Sequence, residues 1–93
     1  MKSVQEAYEE LVTLEDRLIA QIQTCEMAVS ILKDELAYRR RGDSCHETVR
    51  EICECIQQRE ERLRRELFAV RWEKTVLACQ FPDEKNEAEA SDS

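Results

Sequence analysis

The chain has almost no material for tight turns or strands. Its 93 residues include one glycine and one proline, and aromatic residues make up only 5%. Hydrophobic residues account for 42% of the chain and charged residues for 38%. A mixture of Glu, Arg, Leu and Lys in these proportions is typical of long helices and coiled coils. The composition therefore predicts an all-α fold.

Long apolar runs are also missing. No segment approaches the roughly 18 consecutive apolar residues that a membrane span needs, and the first ten residues contain no apolar stretch that would serve as a secretory signal. We therefore expect an intracellular protein, cytoplasmic or nuclear. A folded unit of this size leaves much of its apolar surface in water, so we also expect stabilisation by a partner.

Positive charge is in short supply. The formal net charge is -7, and residues 83–93 contain five acidic residues and one basic residue, a net charge of -4. This balance argues against the uniform basic stripe that nucleic-acid backbones require. After Pro82 there is no apolar period, so residues 82–93 are predicted to be a disordered acidic tail, either solubilising or a phosphorylated docking peptide.

Two helix starts are marked by capping boxes, in which a serine precedes a glutamate by three residues: Ser3 with Glu6, and Ser44 with Glu47. Gly42 follows three arginines and marks a helix end. The prediction is one domain over residues 1–81, with a helix over about 4–41, a turn at 42–44 and a helix over about 45–79. Helices of similar length with a short link imply an antiparallel, coiled-coil-like hairpin.

An apolar seam runs along each predicted helix at alternating spacings of four and three residues. Glu15 and Arg39 interrupt the first seam, and Arg59 and Glu60 fill a gap in the second. With the turn near Asp43, the seams match if Leu18 lies near Leu67. The seam residues are Val4, Tyr8, Leu11, Leu18, Ile22, Cys25, Val29, Leu32 and Leu36 in the first helix, and Cys45, Val49, Ile52, Ile56, Leu63, Leu67, Val70 and Leu77 in the second.

Each helix carries a second set of apolar residues opposite its seam. Counting 100° per residue, these are Ala20, Met27, Ile31 and Tyr38 in the first helix and Phe68, Trp72, Val76 and Cys79 in the second. We call Met27, Ile31 and Tyr38 the first patch, and Phe68, Trp72 and Val76 the second patch. Apolar clusters with Trp and Phe are unusual on soluble monomers, so these residues are predicted to form a protein interface. The alternative is that they are scattered surface residues, or join the core through a helix bend.

Self-association is one way to cover both patches. Two hairpins related by a two-fold axis would place the first patch of one chain on the second patch of the other, giving a four-helix bundle. Helices of a different subunit would serve equally well. The sequence thus predicts a non-enzymatic interaction or scaffold subunit that acts as a homodimer, with another helical chain, or both.

Chemistry is not expected. Cys45, His46, Cys53 and Cys55 lack the C-x2-C spacing of structural zinc sites, and we expect no metal, cofactor or catalytic residue. All five cysteines are predicted to be mostly small buried hydrophobes in a reducing compartment. A two-helix hairpin is also expected to lack a pocket of a few hundred cubic Å for a substrate.

An alternative function depends on local positive charge. Arg39, Arg40 and Arg41, with the arginines after Ile56, would suit a small regulator that binds an anionic surface, either nucleic acid or membrane. The net negative charge and the interleaved glutamates favour instead a solvated face of paired charges.

Overall fold

The computed structural model describes residues 2–39 and 43–80, apart from the side chains of Arg39, Asp43 and Ser44. Two helices occur in these ranges, α1 (Val4–Arg39) and α2 (Asp43–Ala78), each of 36 residues. At 1.5 Å per residue each is about 54 Å long. The helices pack against each other, and the described residues contain no strand. The predicted all-α, two-helix architecture is confirmed.

The start of α1 follows from its capping serine. Ser3 Oγ accepts a hydrogen bond from the backbone N–H of Glu6 at 3.1 Å, and the backbone N–H of Ala7 donates to the Ser3 carbonyl oxygen at 3.1 Å. The first of these is one of the two bonds of the predicted capping box. It satisfies a backbone donor that the helix itself leaves without a partner.

The second helix begins at Asp43, slightly before the predicted start at about Cys45. The cap predicted at Ser44 and the helix end predicted at Gly42 both depend on atoms outside the described part of the chain. At the other end, the backbone N–H of Gln80 donates to the Leu77 carbonyl oxygen at 2.8 Å. This i to i−3 bond tightens the chain just beyond α2.

The core is a narrow strip between the helices. Leu18 is the most deeply buried of its residues, at 2% exposure. All the buried apolar residues in the described part of the chain belong to the predicted seams: Leu18, Ile22, Cys25, Val29, Leu63, Leu67 and Val70. Leu11, Leu14, Ile19 and Ile56 pack against them in a half-buried layer.

Towards the turn the seam is less well covered. Leu36 and Val49 are half-buried, and Ile52 is 45% exposed. The prediction that Ile52 is buried in the hairpin core is therefore wrong, since almost half of this residue is exposed. Two helices alone cover only the strip directly between them, so an apolar residue at the edge of the stripe stays in contact with water.

An ion cluster fills the interruption at Glu15. Its carboxylate accepts hydrogen bonds from Lys74 Nζ at 2.6 Å and from Arg71 Nε at 2.8 Å, and its side chain is only 14% exposed. The Lys74 ammonium also lies 5.6 Å from the centre of the Tyr8 ring, within the range of a cation–π contact. A slip of α2 along α1 would separate this carboxylate from its two cations, so we infer that the cluster specifies the register.

A second cross-helix link lies closer to the turn. Arg64 donates to Glu60 on its own helix at 2.9 Å and to Glu26 on α1 at 3.0 Å. Glu26 comes later than Glu15 in α1, whereas Arg64 comes earlier than Arg71 in α2, as antiparallel helices require. We call the broad side of the hairpin that carries these links the ion-paired face.

The links of Glu15 change the acidity of both partners. The hydrogen bond from Lys74, followed by that from Arg71, lowers the pKa of Glu15 below its ordinary value of 4.5. The hydrogen bond to Glu15 raises the pKa of Lys74 above its ordinary value of 10.5. Both groups are therefore charged in the folded protein from weakly acidic to strongly alkaline pH.

This coupling predicts a pH-dependent stability. The lowered pKa of Glu15 stabilises the fold above about pH 4.5, and this contribution is lost as the pH falls through the folded-state pKa. The raised pKa of Lys74 acts at the other end, because its contribution is lost only as the pH rises above 10.5. As the pH is lowered below 4.5, we expect the thermal midpoint of Glu15→Gln, measured by circular dichroism, to fall less than that of wild type.

A matched control for this prediction is Glu61→Gln, which removes the same charge from an exposed residue of α2. Its stability should follow the wild-type pH curve. If the thermal midpoint of Glu15→Gln showed the same pH dependence as that of wild type in the acidic range, the ion cluster would not stabilise the fold.

Candidate protein interface

The second patch lies on the side of α2 that faces away from α1. Leu63, Leu67 and Val70 face the core, and Phe68, Trp72 and Val76, spaced four residues apart, fall on the other side of the helix. Phe68 is 70% exposed and Trp72 is 63% exposed. Two large aromatic side chains thus stand in solvent on an edge of the hairpin, where its own core does not use them.

The first patch has the corresponding place on α1. Met27 and Ile31 are more than half exposed, and Tyr38 is 88% exposed. The seam residues Ile22 and Val29 face the opposite way, into the contact with α2. None of the six residues of the two patches is drawn into the core by a helix bend.

The two patches occupy opposite edges of the hairpin and opposite ends of its length. Each points away from the neighbouring helix, so the two point away from each other. The first lies towards the turn and the second towards the chain ends, because α1 ends at Arg39 and α2 ends at Ala78. A single helix that packs on one edge therefore leaves the other edge uncovered.

Described residues line two grooves between the helices on the broad side opposite the ion-paired face. The first, near the chain ends, has a volume of about 510 Å³, and its apolar lining includes Leu11, Leu14, Val76 and Leu77. We call it the apolar groove. Val76 therefore belongs both to the second patch and to this groove. The expectation that a hairpin offers no concavity of this size is wrong, because its paired helices leave an open furrow along their contact.

The second groove continues along the same side and has a volume of about 310 Å³. We call it the arginine groove. Arg17 from α1 and Arg59 and Arg62 from α2 line it together with Glu66, and Leu14 and Leu18 contribute from α1. Leu14 is shared with the apolar groove.

The three arginines that precede the turn, predicted to contact an anionic surface, lie largely outside the described part of the chain. Arg40 and Arg41 lie outside the described residues, and so does the side chain of Arg39. Among the arginines after Ile56, Arg64 and Arg71 are held in ion pairs with glutamates of α1. Positive charge on α2 is therefore partly neutralised across the hairpin.

The cysteines differ from expectation. Cys25 is buried, Cys45 and Cys53 are half-buried, and Cys55 and Cys79 are exposed, all five as free thiols. The expectation of burial is thus wrong for Cys55 and Cys79, and the exposure of Cys79 agrees with its place beside the second patch. Over residues 2–39 and 43–80, no three His, Cys, Asp or Glu side chains are grouped so as to hold a metal ion.

Neither helix, over the residues described, has a stretch long and apolar enough to cross a membrane. No protein-family model matches the chain, and neither does any curated protein or solved structure.

The sequence analysis found the two patches but missed both grooves. A groove depends on how far apart the helices sit and on which flanking side chains leave space, and neither quantity appears in a helical period. One partial indication of the apolar groove was present in the sequence. Val76 and Leu77 are adjacent apolar residues, one on the outer edge and one on the seam, and both line that groove.

Proposed function

We propose that this protein is a non-enzymatic interaction subunit that acts inside the cell, and that its hairpin associates with a second copy or with another helical chain. The observation that carries the proposal is the exposure of Phe68 and Trp72 on the outer edge of α2. A helix with apolar residues on opposite sides is normally covered on both. Aromatic residues are also the side chains that dominate protein interfaces.

The size of the patch indicates the kind of contact. Stable interfaces bury about 1,200–2,000 Å² in total, and a Phe or Trp side chain contributes about 150–250 Å². Three patch residues on each chain are not sufficient by themselves. The contact therefore has to extend along the helix, as it does when two hairpins combine into a four-helix assembly.

The opposed directions of the patches favour a particular arrangement. Exchange of the first patch for the second, in both directions at once, would require a hairpin to bring two opposite edges to one partner. An isologous contact between two second patches needs only one edge from each chain. With antiparallel α2 helices, Trp72 meets its own counterpart and Phe68 of one copy faces Val76 of the other.

The first patch then stays available for a different helix. Met27, Ile31 and Tyr38 remain uncovered in the isologous dimer, at the end of each hairpin far from the dimer contact. We propose that a second helical subunit binds there, which would make the protein a connecting element between partners.

The arginine-cluster alternative has less support. Arg64 and Arg71 already face carboxylates at 3.0 Å and 2.8 Å, so a phosphate-rich surface would have to compete with those glutamates. Arg59 and Arg62 have no such pair among the described residues, but the formal net charge of -7 opposes a phosphate-rich surface.

The test is the solution mass of the full chain, measured by light scattering in reducing buffer over a wide range of concentrations. We expect a mass that approaches twice the 11.0 kDa of one chain as the concentration rises. A mass of 11.0 kDa throughout would contradict self-association and leave a different helical subunit as the occupant of the second patch.

A further inference from the structure

The two grooves form one path along the side of the hairpin opposite the ion-paired face. Since Leu14 lines both, the apolar groove near the chain ends passes directly into the arginine groove. A segment that follows this path from the chain ends towards the turn meets an apolar surface first and positive charge second. A matching occupant would therefore have an apolar residue at one end, followed by acidic residues.

The positive charge in the path is not neutralised by ion pairs. Arg17, Arg59 and Arg62 make no ion pair with any other described residue, in contrast to Arg64 and Arg71. Glu66 is the only carboxylate among the described residues that line the arginine groove, whereas the apolar groove is lined by Glu10 and Glu73 together with Lys2. Three guanidinium groups around a single carboxylate favour an acidic ligand, because each guanidinium can donate two parallel hydrogen bonds to a further carboxylate.

The chain beyond Gln80 presents matching chemistry in matching order. Phe81 comes first, Pro82 follows, and residues 83–93 carry five acidic residues against the single basic Lys85. Leu77, four residues before Phe81 in the sequence, lines the apolar groove. An apolar residue at the near end and carboxylates beyond it correspond to the two parts of the path.

The lengths also agree. Leu77 and Leu63 lie in the two grooves and are separated by about 21 Å along α2, at 1.5 Å per residue. An extended chain covers about 3.3 Å per residue, so about six or seven residues span that distance. Counted from Phe81, six residues would bring Glu87 to the level of the arginine groove.

We propose that residues 81–93 bind in this path of the same chain, with Phe81 in the apolar groove and the acidic residues at Arg17, Arg59 and Arg62. The segment would cover one broad side of the hairpin and leave Phe68 and Trp72 free at the edge. Val76 borders both surfaces, so the two proposals are distinguished by their readouts, which are the accessibility of the segment in one case and the solution mass in the other.

Lys85 provides the readout, because trypsin cleaves after it only when the segment is accessible. The experiment follows appearance of the product ending at Lys85 by mass spectrometry in dilute full-length protein at low salt. We expect Arg62→Glu to accelerate this cleavage about threefold or more, since it replaces attraction with repulsion. Arg65→Glu makes the same charge change at an exposed residue outside the groove lining and should leave the rate at the wild-type value.

Phe81→Ala is a second test that leaves both helices unchanged, and it should also accelerate cleavage. It decides the matter if circular dichroism shows that Arg62→Glu weakens the fold. Equal rates in wild type, Arg62→Glu and Phe81→Ala would overturn the proposal. Protection that disappears on dilution would overturn it as well, because the occupant would then be the segment of a second copy.

Discussion

Trp72→Glu is expected to abolish the proposed self-association and leave a monomer. Trp72 is at the centre of the second patch, 63% exposed in the single chain, and an isologous contact places it against its own counterpart. Removing a central interface tryptophan commonly costs 2 kcal/mol or more of binding free energy, which is a weakening of about thirtyfold or more. The substituted carboxylate adds repulsion, since two like charges would meet at the two-fold axis.

The solution mass of this variant should be compared with two others. Gln58→Glu introduces the same charge at an exposed residue of α2 outside both patches and should remain associated. Ile31→Glu should also remain associated if the second patches pair with each other, but it should dissociate if the first patch binds the second. Association that survives Trp72→Glu would place the interface elsewhere on the hairpin.

Leu18→Ala is expected to cause the largest loss of folding stability. Leu18 is 2% exposed and belongs to the central cluster with Leu63 and Leu67. Truncating a buried leucine costs about 2–5 kcal/mol, through lost burial and the cavity left behind. Small domains have a free energy of unfolding of about 5–15 kcal/mol, so this change removes a large fraction of it.

The matched comparison is Ile52→Ala. Ile52 occupies a seam position by its spacing, yet it is 45% exposed. Its truncation should cost about 1 kcal/mol or less, because little apolar surface leaves water there. Urea denaturation followed by circular dichroism at low protein concentration measures both. Equal losses for Leu18→Ala and Ile52→Ala would mean that a partner or a second copy covers Ile52 in solution.

The helices and their pairing were predictable because their causes are local. The apolar period specifies which side of each helix is buried, and Ser3 begins α1 through a bond to a residue three positions away. The same period placed Trp72 and Ile31 away from the seam. Exposure on an outer edge follows from the helical repeat alone once the seam is known.

The Glu15 cluster shows where such reasoning ends. Its position on the seam identified it as an interruption, but its partners lie more than 50 residues away in sequence. Only the register of α2 against α1 brings Arg71 and Lys74 to that carboxylate. A one-turn shift would have kept the apolar stripes in contact and paired different charges.

The sequence by itself determined two long helices, the seam that joins them and the apolar residues left on their outer edges, because the helical repeat converts spacing directly into direction. The tertiary structure decided the rest. The helix spacing and register determine which charges meet across the seam, how far Ile52 is covered and where the paired helices leave grooves. These depend on distances between residues remote in sequence, which no local pattern specifies.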